Sequence, residues 1–240
     1  MRKEMKMKKS LTAVLFAIVL CLLFAGCAVP NAVDTNNSGF AGQFELAKID
    51  ASIVSANTRF AFEIFRKLNR EEPKENIFIS PFSISTALAM TYNGAEGKTK
   101  QQMAEVLGYK NAELSLVNVT MQNLIVYLNQ VDSKVSLDIG NSIWVREREK
   151  IQEEFLLNTE KHFNAFAQML DFSKADSADR INQWISKATH KKINQMIEPP
   201  IPPDVVMYLI SAIYFKGEWT HQFDPKKTFD GKFFKEDGSK

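Results

Sequence analysis

The run Val205–Phe215, VVMYLISAIYF, restricts the fold more than any other stretch of this 240-residue chain. Eleven residues, almost wholly apolar, cannot span a bilayer as a helix, which needs about 20. β-Branched and aromatic side chains dominate the run, so it reads as a strand covered on both faces. At about 3.3 Å per residue such a strand is about 35 Å long. It demands a sheet with covering helices.

The remaining periodicities supply both. Val135–Val145 switches to period two: Val135, Leu137, Ile139, Asn141, Ile143 and Val145 face one way, and Ser136, Asp138, Gly140, Ser142 and Trp144 the other. Asn141 is the one polar residue in the apolar row, and its amide needs hydrogen-bond partners if buried. Ala165–Phe172 reads as another strand. Thr228–Lys235 reads as a short alternating one, with Asp237-Gly238 as a hairpin signal after it. Apolar residues repeat at three and four from Ile53 to Leu68, over Leu114–Asn129 and Glu153–Phe163, and over Asp176–Ile197, which stops before Pro199-Pro200.

Between the first two helices lies Asn76–Gly108. Ile77-Phe78-Ile79 is a short strand pattern ended by Pro81, which cannot donate a ladder hydrogen bond. Ile84, Ala87, Leu88, Thr91 and Tyr92 share one helical stripe, closed by Asn93-Gly94. Gly97 frees a turn, and Thr99 with Gln102 fits a capping box. Met103, Val106 and Leu107 form the inward face of a second helix, with Gly108 at C′. Ser80 and Ser83 read as a strand-end hydroxyl and a helix N-cap.

The N-terminus has a different character. Met1–Ser10 is basic, Leu11–Phe24 is an apolar run, and Phe24-Ala25-Gly26-Cys27 resembles a bacterial lipobox. The expectation is a signal peptide over 1–26, lipid modification of Cys27, a lipid-anchored flexible linker over 27–49 and a domain over 50–240. The protein is then exported, as a cell-envelope lipoprotein or extracellular, and meets the membrane through Cys27 alone. The chain carries 30 basic and 28 acidic residues. Residues 1–27 hold five of the basic ones and only Glu4 of the acidic ones, leaving 25 against 27 in the rest. No basic stripe for nucleic acid remains. Cys21 and Cys27 both lie in the leader, which excludes a disulfide, a thiolate metal site or a cysteine nucleophile in the domain. Asn36-Asn37-Ser38 and Asn118-Val119-Thr120 are formal glycosylation sequons, of little weight in a bacterial context.

Catalytic signals are lacking. Gly94-x-x-Gly97-Lys98-Thr99 has Tyr92 where a phosphate-binding loop needs glycine. His162, His190 and His221 have no partner at metal-ligand spacing and read as surface or rim residues. No G-x-S-x-G elbow occurs. The chain reads as a non-enzyme without metal or cofactor.

Three stretches, NIFISPFSISTALAM, NGAEGKTKQQMAEVLG and ISAIYFKGEWTHQFDP, resemble in order the serpins, the serine protease inhibitor family. The resemblance covers about Asp50–Lys240, the front half of a serpin domain. It implies an α+β fold, helices around a large, mainly antiparallel central sheet, incomplete at the C-terminus. It also implies inhibition of a serine or cysteine protease, which cleaves a reactive loop that then inserts into that sheet as a new strand. That loop lies near the family's C-terminus and matches nothing here, so the chain alone is expected to be inactive. By resemblance Ser80 and Ser83 are the shutter serines, where the sheet parts. Ser211 stands in place of the shutter asparagine with a shorter reach, and Trp219 matches the breach tryptophan. The helix Asp176–Ile197 resembles the one that crosses the sheet, and the family often has glycine where Lys191 stands. Two other expectations stay open: a non-inhibitory surface binding or chaperone module, and a remnant of a truncated gene.

Overall fold

A computed structural model of the protein describes residues 44–130, 132, 134–235 and 238. The leader, Cys27, the first sequon and Asp237 lie outside the described residues, as does all of the linker before residue 44.

Four helices come first. α1 (Ala51–Glu71) is capped by Asp50, whose carboxylate accepts from the backbone N–H of Ser52 and Ile53. A hydrogen bond from the Ser52 hydroxyl, and then those backbone bonds, lower the Asp50 pKa. α2 spans Pro81–Gly94, α3 Gly97–Leu107 and α4 Leu114–Gln130. β1 (Val135–Arg146), α5 (Glu153–Phe163), β2 (Ala165–Leu170), α6 (Ser177–Ala188) and β3 (Met207–Gly217) follow.

The described strands form one sheet in the order β2-β1-β3. β1 pairs antiparallel with β3, from Val135 opposite Gly217 to Val145 opposite Met207. It pairs parallel with β2, from Asn141 opposite Ala165 to Arg146 opposite Leu170. The sheet is therefore mixed, because α5 carries the chain back to start β2 in the direction of β1.

Period two sorts the side chains into two cores. Ile143, Val145, Ala165, Met207 and Leu209 face α1–α5 and pack with Ile53, Phe60, Met90, Met121 and Phe163. Trp144, Phe166, Tyr208 and Ile210 face the other way, onto Ile181, Ile185 and Trp184 of α6, with Phe172 and Ile201. Burial pushes the Tyr109 phenol of the first core up to about 12, and its hydroxyl donates to Asn57 Oδ1 at 2.9 Å. Asn93 and Asn118 join α2 to α4 by two reciprocal amide bonds of 2.9 and 2.8 Å.

Several local expectations fail for identifiable reasons. In α2 Ile84, Ala87, Leu88 and Tyr92 pack on the core as the stripe indicates, but Thr91 is exposed and the buried positions also include Ser83, Ser85, Thr86, Ala89 and Met90. Ser85 and Thr86 hydroxyls donate to the Phe82 carbonyl, so polar side chains can turn inward. α3 starts at Gly97 after Glu96, which puts Thr99 inside the helix rather than at a cap. Ala104 and Leu107 are buried and Met103 packs on the core beside them, as expected, but Val106 points out. Gly108 does end it, in the left-handed conformation at φ 76°.

α6 stops at Ala188, nine residues short of Ile197. From there the chain turns and runs back along α6. Asn182 Oδ1 accepts from the N–H of Met196 and Ile197, and Thr189 Oγ1 accepts from that of Ile193. The apolar spacing after residue 188 mimics a continuing helix, but Asn182 and Thr189 offer the backbone other partners. Ile77–Ile79 and Thr228–Lys235 belong to no ladder among the described residues. Phe78 is fully exposed, and Phe229, Phe233 and Phe234 are exposed too.

Candidate functional site

Ser80, Ser83 and Ser211, three of the residues singled out by resemblance, sit where α2 meets the sheet. Pro81 starts α2 with its φ already helical, and the residue before it, Ser80, takes the extended N-cap conformation. Ser80 Oγ accepts from the Ser83 N–H at 3.4 Å, and the two hydroxyls lie 3.1 Å apart. The cap is thus Ser80, and Ser83, read from the sequence as the N-cap, is the third residue of the helix. Ser83 is buried, so the helix start is desolvated and its hydroxyls hold each other.

α2 packs on β3, whose polar residue on the same face as Leu209 is Ser211. Ser211 lies directly opposite Asn141 on β1. The Asn141 amide donates to the Phe163 carbonyl at 2.7 Å, which ties β1 to the end of α5. Its Oδ1 and Ser211 Oγ are both buried and find no hydrogen-bond partner among the described residues. Two desolvated polar atoms on adjacent strands are a weak point in a sheet, because each loses its water bonds without replacement. Ser80 and Ser83 are therefore brought together, while Ser211 bonds to neither. Asn141 belongs with this group. Its signal in the sequence was a polar side chain in an apolar row.

Trp219 lies past the end of β3. It is 72% exposed, with its ring edge-on to Phe223 at 5.7 Å, rather than an ordinary core aromatic. The face of the sheet opposite α2 is crossed by α6. A Cβ on Gly140 would come within 3.2 Å of Ala188 Cβ and 3.4 Å of the Trp184 ring, so the glycine lets the helix sit against β1. Arg146 anchors the return to β3: its guanidinium donates to the carbonyls of Val205 and Pro202 at 2.7 and 2.8 Å and stacks on Phe172.

Of the histidines, His221 is exposed. His162 is buried between α4 and α5, a correction to its reading as a surface residue, with Nδ1 2.9 Å from Gln122 Oε1. Burial, and then the charge of Lys161, lowers its pKa. No group of three His, Cys, Asp or Glu side chains among the described residues could hold a metal, and no helix among them is long and apolar enough to cross a membrane.

The family model for the serpins, serine protease inhibitors, matches residues 55–240. An uncharacterized serpin-like protein of Methanosarcina acetivorans is 34% identical over 226 residues, 90% of this chain and 52% of that protein. The leukocyte elastase inhibitor of Sus scrofa is 35% identical over 75% of this chain and 48% of its own length. Among solved structures, emu ovalbumin superposes with a TM-score of 0.70 at 26% identity, covering 76% of this chain and 51% of that one. The chain spans about half the length of the curated relatives it matches. With its family match, its sheet and the packing of α2 on that sheet, this chain belongs to the serpin family.

Proposed function

We propose that a protein carrying this region inhibits a serine or cysteine protease by taking its own cleaved reactive loop into the sheet beside β3. The reading is supported above all by the serpin family match over residues 55–240, with Ser80 and Ser83 brought together at the start of α2 beside β3. A strand added along the eleven residues of β3 gains ladder bonds of about 0.5–1.5 kcal/mol each. Ser80, Ser83 and Ser211 act as the shutter, with the unpaired Ser211 hydroxyl making the parting of the strands less costly. Trp219 marks the end where insertion starts. The relative named as an elastase inhibitor favours a serine protease as target.

The test pairs the 240-residue chain with the separately expressed C-terminal half of the Methanosarcina relative. Each mixture meets trypsin-, subtilisin- and papain-type proteases. SDS-resistant adducts with the completed pair, and none with the chain alone, are expected. No adduct from a pair that melts cooperatively refutes the inhibitor reading and leaves the binding module. Adducts from the chain alone would place a reactive loop within these residues.

The same proposal exports the protein and anchors it through Cys27. Labelled fatty acid fed to a bacterial host should enter the wild type and not Cys27→Ala. Equal labelling sinks the anchor.

A further inference from the structure

α6 ends in a turn whose shape favours glycine. Thr189 is its C-cap. The N–H of His190 bonds to the Lys187 carbonyl at 3.1 Å and that of Lys191 to the Ser186 carbonyl at 2.6 Å. This pair of bonds is a Schellman motif, with His190 at C′. His190 and Lys191 both take left-handed backbone, φ 49° and 63°. For a residue with a Cβ that conformation is unfavourable, so a histidine at C′ calls for a compensating contact.

The contact is made by the ring. His190 Nε2 lies 2.7 Å from Asp138 Oδ2. The imidazole stacks on Tyr214, ring centres 4.1 Å apart at 36°. Asp138 and Tyr214 are direct cross-strand partners on β1 and β3. One side chain thus fastens the end of α6 to both strands at once. The Ser136 hydroxyl donates to the same Asp138 oxygen at 3.3 Å.

We infer that His190 is a proton-operated latch between α6 and the β1–β3 ladder. Protonated, it gives Asp138 a charge-assisted hydrogen bond and sets a cation against the Tyr214 ring. Neutral, it keeps a weaker bond and loses the cation. The other charged or titratable groups around it are Lys216 on β3, and Lys187, Lys191 and Lys192 on its own segment. Asp132, Lys134 and Glu218 line the open cleft beside Asp138. Of all these, Asp138 makes the hydrogen bond to the ring. The latch stands whether or not the protein inhibits a protease.

Hydrogen exchange of the full chain tests it, with protection in residues 187–193 corrected for intrinsic exchange. Protection should be about threefold to tenfold higher at pH 5.5 than at pH 8, and Asp138→Asn and His190→Gln should bring that ratio to about one. His162 supplies a contrast, since its lowered pKa makes acid loosen α4 and α5. His190→Gly separates latch from turn. Glycine suits C′ better, so if the histidine served only the turn, this variant would protect the segment at least as well at both pH values. Loss of the pH ratio and of acid protection in His190→Gly supports the latch. A ratio near one in the wild type, or a ratio retained in the glycine variant, overturns it.

Discussion

β1 and β3 are long apolar strands in register with each other, yet the molecule treats them differently. Ile139, Ile143, Trp144 and Val145 of β1 are buried, whereas in β3 only Ala212 is, and Phe215 is exposed. β1 has a strand on each side and helices over both faces. Among the described residues β3 has β1 on one side alone. Composition says that a side chain favours burial; the number of neighbours decides whether it is buried. Aromatic exposure continues past β3 through Trp219, Phe223, Phe229, Phe233 and Phe234.

The sharpest way to break this comparison is a matched pair of truncations. Ile143→Ala should cost about 3–4 kcal/mol, because a residue at 0% exposure leaves a cavity. Ile213→Ala, on half-buried β3, should cost about 1 kcal/mol. Urea unfolding of the full chain measures both, and equal costs would show that β3 is as enclosed as β1. Next in size, Gly140→Val drives a side chain into Ala188 and Trp184 and should cost about 1–3 kcal/mol. An unchanged melting midpoint would mean that α6 is not seated on β1.

A pH dependence comes third and concerns the closed side alone. The folded His162 pKa lies below its ordinary 6.5, from burial first and Lys161 second. The unfolded chain therefore takes up the proton more readily. Stability is full above about pH 6.5 and declines as the pH falls through and below that value. The loss of melting temperature between pH 7.5 and 5.5 should shrink in His162→Gln; an undiminished loss would locate the acid sensitivity elsewhere. The smallest effect is at the open side. Ser211→Ala removes a buried hydroxyl without a described partner and should stay within about 1 kcal/mol, neutral or stabilising. A larger loss would reveal a bond to that hydroxyl.

Local pattern carried the secondary structure where a segment's own side chains decide it. Glu153–Phe163 is helical as the periodicity indicates, and β1 and α4 run one residue beyond their expected ends. It failed where a distant partner decides. Ile77–Ile79 and Thr228–Lys235 alternate like strands but have no described strand beside them, and a ladder requires two. The excess length assigned to α6 came from Ile193, Met196 and Ile197 at helical spacing, whereas Thr189 captures the backbone of the first and Asn182 that of the other two from the side. At the candidate site, Ser80 and Ser83 were identifiable but the cap fell to Ser80, since the helix starts at Pro81, three residues before a Ser83 cap would start it. Asn141 was conspicuous, but its position opposite Ser211 depends on a register spanning 70 residues of chain.

The amide pair between α2 and α4 has a consequence for anyone producing this protein in a eukaryotic secretory host. Asn118-Val119-Thr120 offers an oligosaccharyltransferase a valid acceptor while the nascent polypeptide is still extended. Once folded, Asn118 is 3% exposed, its side chain is engaged in both directions with Asn93, and the Thr120 hydroxyl accepts the Asp50 N–H. Sugar attachment and native packing at that asparagine exclude each other. A glycosylated population from such a host is a misfolded population, and the glycan serves as its label.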